Sequence, residues 1–397
     1  MEKRKIVIVT EGFPYWEAEN FLKNEISCLN DDFDIFLLPL VFPKNAQLQT
    51  LPENINVLEP ILQRNYFVRF LQGIFNTSPI LPFLRDFFNI FRDKKANLKG
   101  NFINWLTTMI NSRALLASPQ IKNLKKEVNT AIYLYWCNYP ICLFGKFPNR
   151  IFPRVHGTEF AKINTNYISM HEYKLSMAEN TIYLPISDQA ADIIFKHTPV
   201  NYRINRLGVF SNKRYEGIVP DVIRIVSVAY MIPKKRIHLI IDSLKQIKGT
   251  KVEWFHFGNG PLFEKLKSQT DDLGDNINVK LMGFVSNKDI LKFYTENYVD
   301  LFVNVSEIEG VPVSIMEALS FGIPVFATNV GGTGEIVSNE NGYIAESNYR
   351  TEELSNFIIN IRKTSLEKNL RDKAHHVWQE KSNAIENFNQ LKKILNL

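Results

Sequence analysis

The feature that most constrains this chain is a repeated alternation. Short runs of β-branched and aromatic residues are each followed by a turn-rich loop and then by a segment with helical spacing of its apolar residues. Ile6-Val7-Ile8-Val9 opens the first series as an unbroken apolar run, the pattern of a strand covered on both faces, and Glu11-Gly12-Phe13-Pro14 ends it. A helix is expected over about 18–30, with Phe21, Leu22, Ile26 and Leu29 on one side, and a second strand at Phe33–Leu38. Further strands are expected at 131–136, 150–155 and 181–186. The pattern breaks over the polar, turn-rich stretch 208–217. It resumes with strands at 224–228, 252–257, 279–282, 301–304 and 324–327, separated by helices at about 235–248, 260–270, 287–296 and 313–321; a further helix follows at about 352–363. The tail, 366–397, reads as helix throughout.

Strand, helix, strand repeated in this way predicts α/β domains with doubly wound parallel sheets. The 397 residues are too many for one ordinary core and suit two. The expected division is a Rossmann-like domain over 1–212, a second over 213–377, and a C-terminal helix over 378–397. In open parallel sheets ligands bind beyond the carboxyl ends of the strands, so the chemistry is expected in the loops that follow them.

Residues 61–130 interrupt the first series. Their pattern is helical, with prolines at 79 and 82, and they are read as a helical insertion. They hold eleven Lys/Arg and three acids, a net +8, so the chain total of +6 leaves −2 for everything else. The same segment carries Phe67, Phe70, Phe75, Phe83, Phe87, Phe88, Phe91, Phe102 and Trp105. Basic residues with exposed aromatics suit a platform on anionic lipid, while the same aromatics packed inward make an ordinary helical subdomain. No nucleic-acid motif accompanies the charge, so nucleic acid is not an expected partner.

Elsewhere the composition excludes more than it assigns. Hydrophobic residues make up 45% and charged residues 22%, which leaves no room for low-complexity disorder or a coiled-coil rod. Three cysteines, Cys28, Cys137 and Cys142, do not make a disulfide framework and fit a reducing compartment. No run reaches the length of a spanning helix, and Ile6–Val9 is too short for a signal-peptide core. A cytoplasmic protein is expected, able to sit peripherally on the inner face of the cytoplasmic membrane.

The densest chemistry lies at 304–335. Glu309 and Glu317 are eight apart with Pro312 between them. Proline suits a helix's first turn, so Glu309 falls in the loop and Glu317 about one turn into the helix. The helix starts at Val311–Val313, where free amides and the positive dipole end favour an anion. Amides for phosphate and carboxylates for hydroxyl pairs make a receptor for a phosphorylated polyol. On spacing alone, a capping acid followed by a solvated helix acid is an equal reading.

The stretch Glu309-Gly310-Val311-Pro312-Val313-Ser314-Ile315-Met316-Glu317-Ala318 resembles the E-x7-E signature of the family 4 glycosyltransferases, retaining enzymes of the GT-B fold. Asn329-Val330-Gly331-Gly332-Thr333-Gly334-Glu335 is similar to the family's next block. Upstream, Phe257-Gly258-Asn259-Gly260-Pro261 resembles its Gly-x-Gly-Pro turn, Met282-Gly283-Phe284-Val285 its strand end beside the nucleobase, and Ser227–Arg236 the first loop of its donor domain. Arg154-Val155-His156-Gly157-Thr158-Glu159 resembles its His-Gly loop. Phe13-Pro14, Ala18-Glu19-Asn20-Phe21 and Asn24-Glu25-Ile26 resemble the opening of members that build bacterial cell-surface polysaccharides. The blocks occur in order over most of the chain except 45–130.

The resemblance implies roles by position. Glu317 holds the ribose hydroxyls of a nucleotide sugar, and Glu309 contacts the donor sugar. The backbone of Gly310, Val311, Val313 and Ser314 faces sugar and diphosphate, with Gly258 in the turn beside them. Phe284 and Val285 lie at the base, Lys235 neutralises the leaving diphosphate, and His156 supports the reacting oxygen. Gly12, Glu19, Arg154 and Glu159 fall on the acceptor side, and the resemblance implies that the C-terminal helix over 378–397 packs back on the N-terminal domain. No Asp-x-Asp pair stands at a strand end, so no metal and no cofactor are expected. Tyr230 and Arg236 stand where many members have Arg and Gly, which leaves the usual Arg–Lys clamp incomplete; Arg236 or Arg206 is the candidate second cation. The expected function is retaining transfer from a UDP-sugar, or a GDP-sugar, to a saccharide or lipid-linked saccharide in surface-polysaccharide synthesis. UDP is favoured because uracil needs only backbone contacts near Phe284-Val285. Two other readings stay open: a sugar-nucleotide epimerase or phosphorylase of the same fold, and a non-catalytic subunit, which Tyr230 keeps open. His238, His375 and His376 show no ligand spacing and are read as surface or packing residues.

Overall fold

The computed structural model describes residues 3–15, 19, 21–42, 49–75, 84, 87–88, 98–138, 140–144, 147–157, 180–195, 200–210 and 213–397. Glu159 and Pro79, Pro82, Phe83 and Phe91 lie outside them. The chain divides into two compact units, Met1–Asn205 with Phe388–Leu397, and Arg206–Asn387.

The N-terminal unit contains β1 (Arg4–Thr10), α1 (Leu22–Leu29), β2 (Phe33–Pro39), β3 (Asn56–Val57), α2 (Tyr66–Gly73), α3 (Leu98–Ala117), α4 (Pro119–Leu124), β4 (Ala131–Leu134), α5 (Ile141–Phe144), β5 (Ile151–Val155), β6 (Leu184–Pro185) and α6 (Asp188–Phe195). Its sheet runs β3-β2-β1-β4-β5-β6, every pair parallel. Successive strand residues point to opposite faces, and both faces are covered. Val7 and Val9 therefore enter one core with Leu38, Ile132 and Leu134, while Ile6 and Ile8 enter the other with Ile35, Leu37 and Tyr133.

The C-terminal unit contains β7 (Ile223–Val228), α7 (His238–Leu244), β8 (Val252–Phe257), α8 (Phe263–Thr270), β9 (Ile277–Leu281), α9 (Asn287–Glu296), β10 (Leu301–Asn304), α10 (Val313–Ser320), β11 (Val325–Thr328), β12 (Gly342–Ala345), α11 (Thr351–Lys368) and α12 (Leu370–Lys381); α13 (Ala384–Leu395) closes the chain. The second sheet runs β12-β11-β10-β7-β8-β9, again all parallel. From β7 the chain builds outward through β8 and β9, then crosses to β10 on the other side. The order reverses between β7 and β10, so a crevice opens at their carboxyl ends.

Several elements differ from the sequence-based expectation, each for a physical reason. The first helix is described over Leu22–Leu29, and Glu19 before it is turned inward to bind the loop after β1. The expected strand 181–186 keeps a ladder only at Leu184–Pro185, with Thr181 and Tyr183 in single bridges. The tail is three helices. Asn369 takes a left-handed conformation, φ 52°, which asparagine tolerates, and separates α11 from α12. The second break forms because Val209 donates to Ser382 and accepts from Ala384, drawing Asn383 into a bridge. The short strand β12 was not anticipated. Its Gly342 lies so close to β11 that a Cβ would overlap the Val325 carbonyl. Among the described residues no helix is long and apolar enough to cross a membrane.

Candidate functional site

At the carboxyl end of the second sheet, five loops meet around the β7/β10 crevice. The loop after β7 is tied to the one after β8, where Ala229 N–H donates to Phe257 and Met231 N–H to Asn259. The loop after β8 is tied to the one after β9 through Gly258 N–H and the Gly283 carbonyl, 2.8 Å. Gly258 sits at φ +148°, and a Cβ there would overlap the Ala229 carbonyl. The Gly-x-Gly turn is glycine because two backbones pass at contact distance.

A buried relay holds the ends of β7 and β8. Trp254 Nε1 donates to Ser227 Oγ at 2.9 Å. Ser227 Oγ and His256 Nδ1 are 2.8 Å apart, and His256 Nε2 lies 3.1 Å from the Ala229 carbonyl. A carbonyl only accepts, so Nε2 carries the proton and Nδ1 accepts from serine. Burial pushes the His256 imidazole down to about 4, so it stays neutral. These residues carry no local motif, since their partners come from the neighbouring strand.

Lys235 Nζ and Glu309 Oε1 form an ion pair at 2.6 Å across the crevice. Asn304, the last residue of β10, donates to the same carboxylate oxygen at 3.3 Å and accepts from Ser306 N–H at 3.1 Å. The Glu309–Gly310 backbone rests on the loop after β11. Gly332 N–H donates to Gly310 at 2.7 Å, and a Cβ on Gly331 would overlap the Glu309 carbonyl. Gly331 has φ +58°, so glycine is required there twice over.

Helix α10 begins at Val313 after Pro312, with no side-chain cap. The amides of Val313 and Ser314 meet no acceptor among the described residues, so they and the dipole face the crevice as anion donors. Glu317 lies one turn on, buried, and accepts from Asn287 Nδ2 at 2.7 Å. Burial raises its carboxyl to about 7, only partly opposed by that hydrogen bond. Asn287 is the first residue of α9, which Ser286 caps through Asp289 N–H. Phe284 and Tyr230 stand at the strand ends with 73% and 59% of their surface exposed, and Val285 is half-buried.

Two expected cations are not free. Arg236 donates to three backbone carbonyls, Val305 at 2.8 Å, Ser347 at 2.6 Å and Ser306 at 3.2 Å. It fastens the loop after β10. Arg206 is held by Glu335 at 2.5 Å.

In the N-terminal unit, Glu19 accepts from the amides of Glu11 (3.3 Å), Gly12 (3.0 Å) and Phe13 (2.7 Å), and from Trp136 Nε1 (2.6 Å). Glu19 and the Gly12 amide are thus spent in shaping the loop after β1. The loop's own carboxyl, Glu11, has its pKa raised by burial and by Glu19, and receives Asn138 at 3.4 Å; the sequence reading passed it over. His156 packs on Trp136 with ring centroids 4.2 Å apart, and Tyr135 and Phe21 stand edge-on. Arg154 is a correction to the expected acceptor side. It is fully buried, paired with Glu25 and bonded to Tyr133 Oη and Asn205 Oδ1. It holds β5 to its surroundings and reaches no surface. Among the described residues no group of three His, Cys, Asp or Glu could hold a metal ion.

Residues 210–390 match the family described as Glycosyl transferases group 1. The chain is 27% identical over 202 residues to the amylovoran biosynthesis glycosyltransferase AmsK of Erwinia amylovora, covering 48% of this chain and 50% of that protein. It is 26% identical over 217 residues to the putative colanic acid biosynthesis glycosyltransferase WcaL of Escherichia coli, covering 51% and 53%. Each match spans about half the relative's length. Anabaena HepE, solved with UDP and with UDP-glucose, superposes with a TM-score of 0.66 at 13% identity, covering 99% of both chains. Each unit accordingly has the Rossmann-like α/β architecture of the GT-B fold, and the resemblance to bacterial surface-polysaccharide glycosyltransferases is borne out.

Proposed function

We propose that this chain, a group 1 glycosyl transferase over residues 210–390, is a retaining enzyme that moves a sugar from a nucleoside diphosphate sugar to a saccharide or lipid-linked saccharide of a bacterial surface polysaccharide. The observation that carries this reading is the Lys235–Glu309 pair at the β7/β10 crossing, beside the uncapped amides that open α10, with Glu317 one turn behind. A UDP-sugar is the favoured donor, supported by the bound nucleotides of HepE. The proposed C-terminal donor site needs no metal, because one lysine and the helix start meet the charge.

The diphosphate takes Lys235 from Glu309 and lies against the Val313 and Ser314 amides. The freed Glu309 carboxylate accepts from the sugar's hydroxyls, and Glu317 accepts from the ribose. As the bond from C1 to the diphosphate oxygen breaks, charge grows on that oxygen, where the lysine and amides stabilise the transition state more than the ground state. The acceptor oxygen bonds to C1 on the same face, and its proton passes to the departing diphosphate. The N-terminal unit takes the acceptor, with His156 assisting the reacting oxygen.

A thermal-shift screen over nucleoside diphosphates and their sugars is the direct test, since a ligand of the folded state raises its apparent stability. UDP and a UDP-sugar are expected to shift the midpoint most. With an acceptor found, Lys235→Ala should lower kcat by about 100-fold or more. The anomeric configuration of the product, read by NMR, should match that of the donor. Full turnover in Lys235→Ala sinks the assignment, and donor binding without turnover across acceptors points to a non-catalytic subunit.

A further inference from the structure

We infer that the outward face of α2, with the cavity at its C-terminal end, docks this protein on an anionic lipid bilayer. Helix α2 packs inside out. It buries only Arg69 and Gly73. Arg69 donates to the Gln63 carbonyl and to Asn111 Oδ1 at 2.9 Å, and its guanidinium lies 4.5 Å from the Tyr66 ring centre. Gly73 lets the two helices cross closely, since a Cβ would come within 2.8 Å of Arg113 Cβ on α3. Arg113 then donates to the Ile74 carbonyl at 3.0 Å. Polar contacts and a glycine therefore fix the helix with its apolar residues outward: Tyr66, Phe67, Phe70, Leu71, Ile74 and Phe75 are all exposed, Phe67 by 66% and Phe75 by 95%. A contiguous aromatic surface of this kind marks an interaction site.

Charge identifies the occupant. Arg64 just before α2, and Lys122 and Lys125 on the cavity beside Phe75, are exposed. Among the described residues of 61–130 the one acid is Glu127, which Lys5 already pairs. Beside Phe75 lies a cavity of about 460 Å³ walled by Leu116 and Ile121, with Lys122 and Lys125 on its lining. Apolar walls with two lysines suit one phospholipid, its phosphate on the ammonium groups and its apolar part on Phe75 and Leu116. A second copy of this chain would bring basic face against basic face. A short aromatic helix holds a membrane weakly by itself, and a basic patch supplies the second attachment. The inference deepens the lipid-linked acceptor reading without resting on it, because its readout is binding and not turnover.

The test is flotation of the full chain with vesicles of phosphatidylcholine alone or with about one-third phosphatidylglycerol. Partition onto anionic vesicles is expected to be about tenfold or more stronger and to fall at high salt. Phe67→Ser/Phe70→Ser/Phe75→Ser should lose about tenfold or more on both compositions. Lys122→Glu/Lys125→Glu should lose the anionic preference, at least about fivefold per lysine. Phe75→Trp changes a fully exposed position and keeps the test independent of folding: brominated anionic lipid should quench the added fluorescence. Equal partition onto both vesicles, unaltered binding by the serine variant, or no quenching overturns the inference. A dimer in sedimentation that the serine substitutions dissolve, with no vesicle binding, makes this a copy-to-copy interface and overturns it too.

Discussion

At the scale of single residues, Glu317 is the most informative group. Its carboxyl is buried, receives one hydrogen bond and titrates near 7, against 4.5 for an ordinary glutamate. Between those values the folded chain holds a proton that the unfolded chain has lost, so stability falls as pH rises through 7. Relative to Glu317→Gln, the wild type should lose about 2–3 kcal/mol between pH 5 and pH 8, measured by urea unfolding at each pH. A donor whose hydroxyls bond to the carboxylate reverses the cause of the shift. Binding near pH 6 should then release close to one proton, read by calorimetry in buffers of different ionisation enthalpy. A constant stability difference between the two variants would show that Glu317 is already ionised in the folded state. Residue identity alone served unevenly as a guide. The placement of Glu309 in the loop and of Glu317 one turn into the helix was legible because loop, proline and helix start lie within one short stretch. Arg154 and Arg236 were misread because their partners, Glu25 and Asn205 for one and the 305, 306 and 347 carbonyls for the other, are distant in sequence.

At the scale of elements, the strands of both sheets were legible wherever both faces are buried, since unbroken apolar runs have few other uses. The short edge elements were not: β6 is cut to two residues and β12 announces itself only by packing of Gly342. Loop glycines are where element and chemistry meet. Gly331 supports the backbone of Glu309 from the neighbouring strand's loop, at φ +58°, and has no room for a Cβ. Gly331→Ala should therefore push Glu309 away from Lys235 while the two sheets persist. The expected outcome is a fall in kcat of about tenfold or more, with a far-ultraviolet spectrum like wild type. Gly249, also at positive φ but with nothing within 4 Å of a Cβ, is the control: Gly249→Ala strains only its own turn and should leave kcat intact. Equal kcat losses in the two variants would mean that backbone strain, and not support of Glu309, sets the effect.

At the scale of the whole molecule, the N-terminal unit is discontinuous. It takes Met1–Asn205 and returns for Phe388–Leu397, after the entire second unit has been made. The returning residues are part of its core. Leu391 and Leu395 are fully buried in the cluster that holds Ile6, Ile8, Phe13, Leu22, Ile26 and Leu29. Lys392 pairs with Asp32 at 2.5 Å, and Arg4 donates to the Leu395 carbonyl at 2.9 Å. The ion pair is partly exposed and contributes little, so burial dominates. Removing two buried leucines costs about 3–6 kcal/mol by area, comparable to the whole stability of a marginal domain. A chain ending at residue 387 should lose the N-terminal unit's cooperative unfolding transition, or show it at much lower urea, while nucleotide still shifts the C-terminal unit's midpoint. Leu391→Ala and Leu395→Ala should each cost about 2–5 kcal/mol on the same transition. If the shortened chain unfolds like the full one, the terminal helix lies on that core without supporting it. The sequence pattern could show the tail's helices but not this debt, because a helix's own spacing names the face it buries and not the core that receives it.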